Sequence, residues 1–154
     1  MDVLDGDILC VLEGDARISY AHLSDKVGLS ANAVAERVRR LHEVGVIRRF
    51  TAEIDSRHLG VGLQALIEVK MESGVSNEQF EKITAATPGV IRALVTTGRY
   101  DWLLEVIAVD QHDLQRIIES LRSGGLTRDT YSRIVTTDRR FKLSSRLFPR
   151  SKMK

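Results

Sequence analysis

Two short stretches hold residue types whose spacing could do chemistry. The first, AERVRRLHEVGVIRR (35–49), places five arginines in fifteen positions. A guanidinium is a planar fork of N–H donors that binds a carboxylate, a phosphate or the edge of guanine bidentately. The second, TTGRYDW (96–102), gathers glycine, arginine, tyrosine and aspartate behind two threonines. Unpaired loop amides there could take a carboxylate and Asp101 an ammonium, which suits a zwitterion such as an amino acid. Each stretch also has a plainer reading. The arginines could pair along a solvated helix face as Glu36–Arg39, Glu36–Arg40 and Arg39–Glu43. The loop could be a hairpin turn in which Gly98 and Asp101 serve only the backbone.

Charge favours an anionic partner for the first stretch. The chain is only +2 overall, and its charge is uneven. Residues 1–61 carry 8 Lys/Arg against 10 Asp/Glu, residues 62–127 carry 6 against 9, and residues 128–154 carry 9 against 2. Positive charge is thus focused in one short element and the tail, which points to a local anionic surface rather than a generally basic protein.

Catalysis finds little support. His22, His42, His58 and His112 have no spacing that suggests a shared metal, and Cys10 sits beside the apolar stripe of a helix. Neither a P-loop nor a G-x-G-x-x-G or G-x-S-x-G motif occurs. No enzyme, cofactor or metal is expected. Apolar content of 43% and charged content of 29% are those of a soluble globular protein, and no run approaches the ~18 apolar residues of a membrane span. A single cysteine and an acidic N-terminus lead us to expect a cytoplasmic protein with no membrane attachment.

The periodicities predict the elements that must position these residues. Leu4, Ile8, Val11 and Leu12 mark a helix over about 2–14. Ser19 caps a second helix that ends at Gly28, and Ser30 caps a third, striped by Val34, Val38 and Leu41 and closed by Gly45. Two helices joined by Gly28-Leu29-Ser30 form a helix-turn-helix whose second member carries the arginines. VIRRFTAEID (46–55) is β-branched and aromatic enough for one or two wing strands. From Leu63 the period changes to two. A strand over 63–71, a helix opened by a Ser76/Gln79 capping box, strands over 90–97 and 102–109, a helix capped by Asp110 and a strand over 130–137 give the order βαββαβ. The strand 102–109 is apolar on both sides, so one side needs a cover besides the helices, and a second copy of the chain is the economical one. The alternative is that the basic tail folds back over that face.

In its ordered motifs the chain resembles the Lrp/AsnC (feast/famine) family of prokaryotic transcription regulators. The markers are D-x-x-D-x-x-I-L from Asp2, DARIS (15–19), VGLS (27–30), ERVRRL (36–41), GVIRRFTAEID (45–55), TTGRYDWLL (96–104) and T-x-S-x-I-V from Thr130. The resemblance covers about residues 2–140. It implies an α+β chain: a winged helix-turn-helix domain (1–55), a linker (56–62) and a ferredoxin-like effector domain of the RAM type (63–140), beyond which the basic tail (141–154) departs from the family. It also implies dimers through the C-terminal sheets, often assembled into octamers, and an effector held between dimers. SGGLTRD (123–129) departs from the family's usual lead into the last strand, and Arg99 adds a cation where members vary.

The expected function is therefore sequence-specific binding of double-stranded DNA, modulated by a small effector, an amino acid. An architectural protein that wraps DNA without an effector is the alternative. Ser30, Asn32, Ala33, Arg37 and Arg40 are expected to face bases and Arg48 and Arg49 phosphates, while Arg39 serves its glutamates. Thr97, Gly98, Arg99, Tyr100 and Asp101, with Thr130 and Ser132 on the last strand, are expected to line the effector site.

Overall fold

The computed structural model describes residues 1–148. The chain folds as two compact units, one of residues 1–53 with the segment that begins at Arg139, the other Ile54–Asp138.

Three helices build the first unit: α1 (Val3–Leu12), α2 (Tyr20–Val27) and α3 (Ala31–Glu43). Asp2 and Asp5 form a capping box that opens α1, each carboxylate accepting the other's backbone N–H at 2.9–3.0 Å. Gly28 ends α2 at φ +69°, a left-handed conformation that only glycine adopts without strain. Ser30 then caps α3 by accepting the Ala33 N–H, a bond worth about 1 kcal/mol. Ile8, Leu12, Leu23, Val27, Val34, Val38 and Leu41 make one buried cluster. Each such side chain contributes roughly 1.5–3 kcal/mol, so packing rather than propensity holds these short helices.

The expected wing strands do not form. Among the described residues no strand lies between α3 and Leu63; the stretch is irregular, with a 3-10 turn at Ser56–Leu59. Ile47 packs on the helical cluster and its N–H reaches the Leu41 carbonyl at 2.9 Å. Val46, Phe50 and Ile54 stay exposed. A strand exists only when another strand satisfies its N–H and C=O groups, and among the described residues no other segment pairs with this one as a strand.

In the second unit β1 (Leu63–Met71), β2 (Val90–Val95), β3 (Trp102–Ala108) and β4 (Thr127–Ile134) form an antiparallel sheet in the order β2-β3-β1-β4. Helices α4 (Asn77–Ala86) and α5 (Gln111–Arg122) cover one face, so the βαββαβ arrangement is as expected. Phe80, Leu114, Ile117 and Leu121 from the helices pack on Ala65, Ile67, Val69, Trp102, Leu104, Val106 and Ala108. Leu66, Leu94, Leu103, Ile107 and Tyr131 fall on the other face, where Arg92–Glu105 and Arg133–Glu68 ion pairs bridge neighbouring strands.

A short helix, α6 (Leu143–Leu147), packs on α1. Glu13 accepts the Leu143 and Ser144 N–H groups at 2.9 and 2.8 Å and also the Ser144 hydroxyl. Phe148 lies against Gly6, where a Cβ would sit 2.8 Å from the Phe148 ring. The basic tail expected over 141–154 is thus described to Phe148, and its remainder lies outside the described residues.

Candidate nucleic-acid interface and effector loop

Helix α3 buries Val34, Val38 and Leu41, which turns Asn32, Glu36, Arg39 and Arg40 to solvent, with Ala33 and Arg37 half-buried at its flank. The small first turn leaves the helix end open to approach. Its arginines are already engaged. Arg39 bridges Glu36 and also lies 3.8 Å from Glu43, as the sequence suggested. Arg37 Nη1 donates to both Asp2 oxygens at 2.9 and 2.8 Å and to Asp5 Oδ1 at 2.7 Å. Arg40 Nη2 donates to both Asp5 oxygens at 2.9 and 2.8 Å, so it pairs with α1 rather than with Glu36.

Sequence reasoning missed this network, because Asp2 and Asp5 stand more than thirty residues before their partners. The only signal was the D-x-x-D spacing, which marks a helix start without saying what else the carboxylates hold. The Asp5 side chain is fully buried. Burial would raise its carboxyl, but the Asp2 N–H and the Arg37 and Arg40 guanidiniums outweigh that and hold it below the usual carboxylate range. Asp2 is lowered too, by the Asp5 N–H first and then by Arg37. Arg48 and Arg49 are exposed and make no ion pair among the described residues.

The loop between β2 and β3 is closed by two bonds, Thr96 N–H to the Asp101 carbonyl at 2.8 Å and Thr96 Oγ1 to the Tyr100 carbonyl at 3.0 Å. Gly98 sits at φ +121°, where a side chain would be strained. The N–H groups of Thr97, Gly98, Arg99 and Tyr100 have no partner among the described residues. Arg99 stacks over the Tyr100 ring at 5.3 Å. The Asp101 carboxylate, however, accepts from Lys70 Nζ at 2.9 Å and from the Met71 N–H at 2.8 Å on β1. Those two donors, Lys70 foremost, hold it below its ordinary range. Lys70 was not foreseen, because cross-strand pairing rather than local spacing brings it there.

Thr130 lies opposite Val69, which also faces Trp102, so β1 stands between Thr130 and the start of β3. Thr130 Oγ1 accepts from Arg122 Nε at 3.0 Å at the end of α5. Ser132 is two residues on and exposed. The sheet thus brings Asp101 and Thr130 to one end and leaves Ser132 farther along the edge strand. Among the described residues no cluster of three His, Cys, Asp or Glu side chains could hold a metal, and no helix is long and apolar enough to cross a membrane.

A helix-turn-helix unit and a separate α+β unit with a polar loop define a class of protein, a DNA-binding module joined to a ligand-binding module. Comparison with known proteins agrees unit by unit. The AsnC-type helix-turn-helix domain matches residues 1–42, and the Lrp/AsnC ligand binding domain matches residues 64–146. The transcriptional regulator AldR of Mycolicibacterium smegmatis is 36% identical over 126 residues, 80% of this chain and 74% of the relative. The leucine-responsive regulatory protein of Rhizobium meliloti is 36% identical over 124 residues, 79% of this chain and 80% of its own length. Among solved structures, a transcriptional regulator from Neisseria meningitidis in complex with L-Met superposes with a TM-score of 0.87 at 27% identity, covering 94% of this chain and 95% of that one. The chain belongs to the Lrp/AsnC family, and it is a transcriptional regulator rather than an enzyme.

Proposed function

We propose that this regulator binds specific DNA sequences as a cytoplasmic homodimer or as an octamer built of four such dimers, laying α3 in the major groove, and that an amino acid modulates it. Ser30, Asn32 and Ala33 meet base edges at the first turn, and Arg48 and Arg49 grip phosphates. Arg37 and Arg40 each engage carboxylates through one terminal nitrogen, and their other nitrogens turn to the bases. The observation that carries this reading is the small first turn of α3 with Asn32 exposed, together with Arg48 and Arg49, which make no ion pair among the described residues. An asparagine reads adenine bidentately, worth about 1–3 kcal/mol of discrimination. Asn32→Ala should therefore flatten preference at one base position in a duplex-selection experiment and leave affinity for random duplex unchanged. Unaltered preference at every position would count against the placement of α3.

The effector reading rests on the four unpaired amides at 97–100 and on the Neisseria relative's complex with L-Met. Thr97, Gly98, Arg99 and Tyr100 would hold the carboxylate, and Asp101, Thr130 and Ser132 the rest of the molecule, between dimers. The occupation of Asp101 by Lys70 and Met71 favours a second reading, a DNA-organising protein with no effector. Titration calorimetry against the twenty amino acids separates the two, and heat from none of them would favour the second.

A further inference from the structure

Every arginine of α3 is matched by carboxylate in the free protein. Arg37 faces Asp2 and Asp5, Arg40 faces Asp5, and Arg39 faces Glu36 and Glu43. Three cations meet four carboxylates, so this face has little net attraction for phosphate, while Arg48 and Arg49 make no ion pair among the described residues. Of the two α1 carboxylates Asp2 is the less constrained: its side chain is 53% exposed, against 0% for Asp5. Its capping bond alone would be satisfied by asparagine or serine, which cap equally well. A full charge is therefore not needed for the helix, but it lies 2.8 Å from Arg37. We infer that Asp2 is a specificity-determining residue that acts through Arg37: it neutralises α3 so that random DNA is held weakly while a matched site is still read.

The physical ground is a difference in how two kinds of contact respond to charge. Binding to random duplex comes almost wholly from phosphate neutralisation, and each added phosphate contact steepens the fall of log affinity with log salt by about 0.9. Base contacts depend on the geometry of hydrogen bonds and change little when one carboxylate is removed. Releasing Arg37 from Asp2 should then raise affinity for every duplex, and proportionately most for the wrong ones.

This inference rests on the DNA-binding reading above, and the test keeps the two apart. The full-length protein is first used to select a preferred duplex from a random pool, and failure to bind any duplex would defeat that reading itself. Wild type, Asp2→Asn, Asp2→Glu and Asp7→Asn are then titrated by fluorescence anisotropy against the selected duplex and a scrambled one, from low to moderate salt. Asp7→Asn removes the same charge from the same helix without an ion pair to α3 among the described residues. Asp2→Asn should bind the scrambled duplex about 3- to 10-fold more tightly at low salt, with a slope steeper by about 0.9 and a smaller ratio of specific to random affinity. Asp2→Glu should stay near wild type. An equal gain in Asp7→Asn, or no gain in Asp2→Asn with its melting temperature unchanged, would overturn the inference.

Discussion

Asp5 shows how one residue ties local structure to electrostatics. It completes the cap of α1, lies buried, and holds Arg37 and Arg40 of α3. Its carboxyl is held below the ordinary aspartate range in the folded state. Below its ordinary value the unfolded chain binds the proton first, so stability rises with pH across that interval. The contribution is complete above about pH 4 and fades as pH falls through the folded value. Charge-assisted hydrogen bonds are worth about 1.5–3 kcal/mol each. Asp5→Asn should thus lower the melting temperature of the helical unit at neutral pH. Acidification below about pH 4 should cost the variant less than the wild type in that unit. Parallel acid profiles for the two, followed by circular dichroism, would contradict this account.

At the scale of elements, α6 is the informative case. A helix of five residues is far below the ~12–15 needed to stand alone in water. Its order depends on Glu13 at its start and on the Phe148 ring over Gly6 at its end. Burial would raise the Glu13 carboxyl, but the Ser144 hydroxyl and the two amides together hold it low. Glu13→Ala should release α6, so that the Leu143 and Ser144 amides exchange with deuterium at close to free-chain rates. Amides within α1 should keep their protection, since its own cap and core contacts remain. Slow exchange at 143–144 in the variant would mean that apolar packing alone seats the helix.

At the scale of the molecule, α4 and α5 pack on one face of the sheet, and Leu66, Leu94, Leu103 and Ile107 lie on the other among ion-paired side chains. The proposed dimer would bury this face. Leu103→Glu should therefore shift the sedimenting species towards a single chain while the fold survives, because β3 keeps Trp102, Leu104, Val106 and Ala108 on the helix-covered side. Unchanged sedimentation would move the interface elsewhere.

Apart from the wing and α6, the elements and their order are legible in the sequence. The i, i+3/i+4 stripes of α1, α3 and α5, the alternation in β1 and the caps at Ser19, Ser30, Ser76 and Asp110 are local signals, and local signals are written in short windows. The sequence also marked both candidate sites, since the arginines of 37–49 and the loop of 96–101 are contiguous runs. What it left open were the partners. Asp2 and Asp5 reach Arg37 and Arg40 across more than thirty residues, Lys70 meets Asp101 through cross-strand register, and Glu13 seats α6 from the far end of the chain. The β-branched stretch 46–55 promised a wing strand, yet a strand needs a neighbour, and none pairs with it among the described residues. Only the tertiary structure decided which charges are already paired, because pairing depends on distance in space, and no periodicity along the chain encodes that distance.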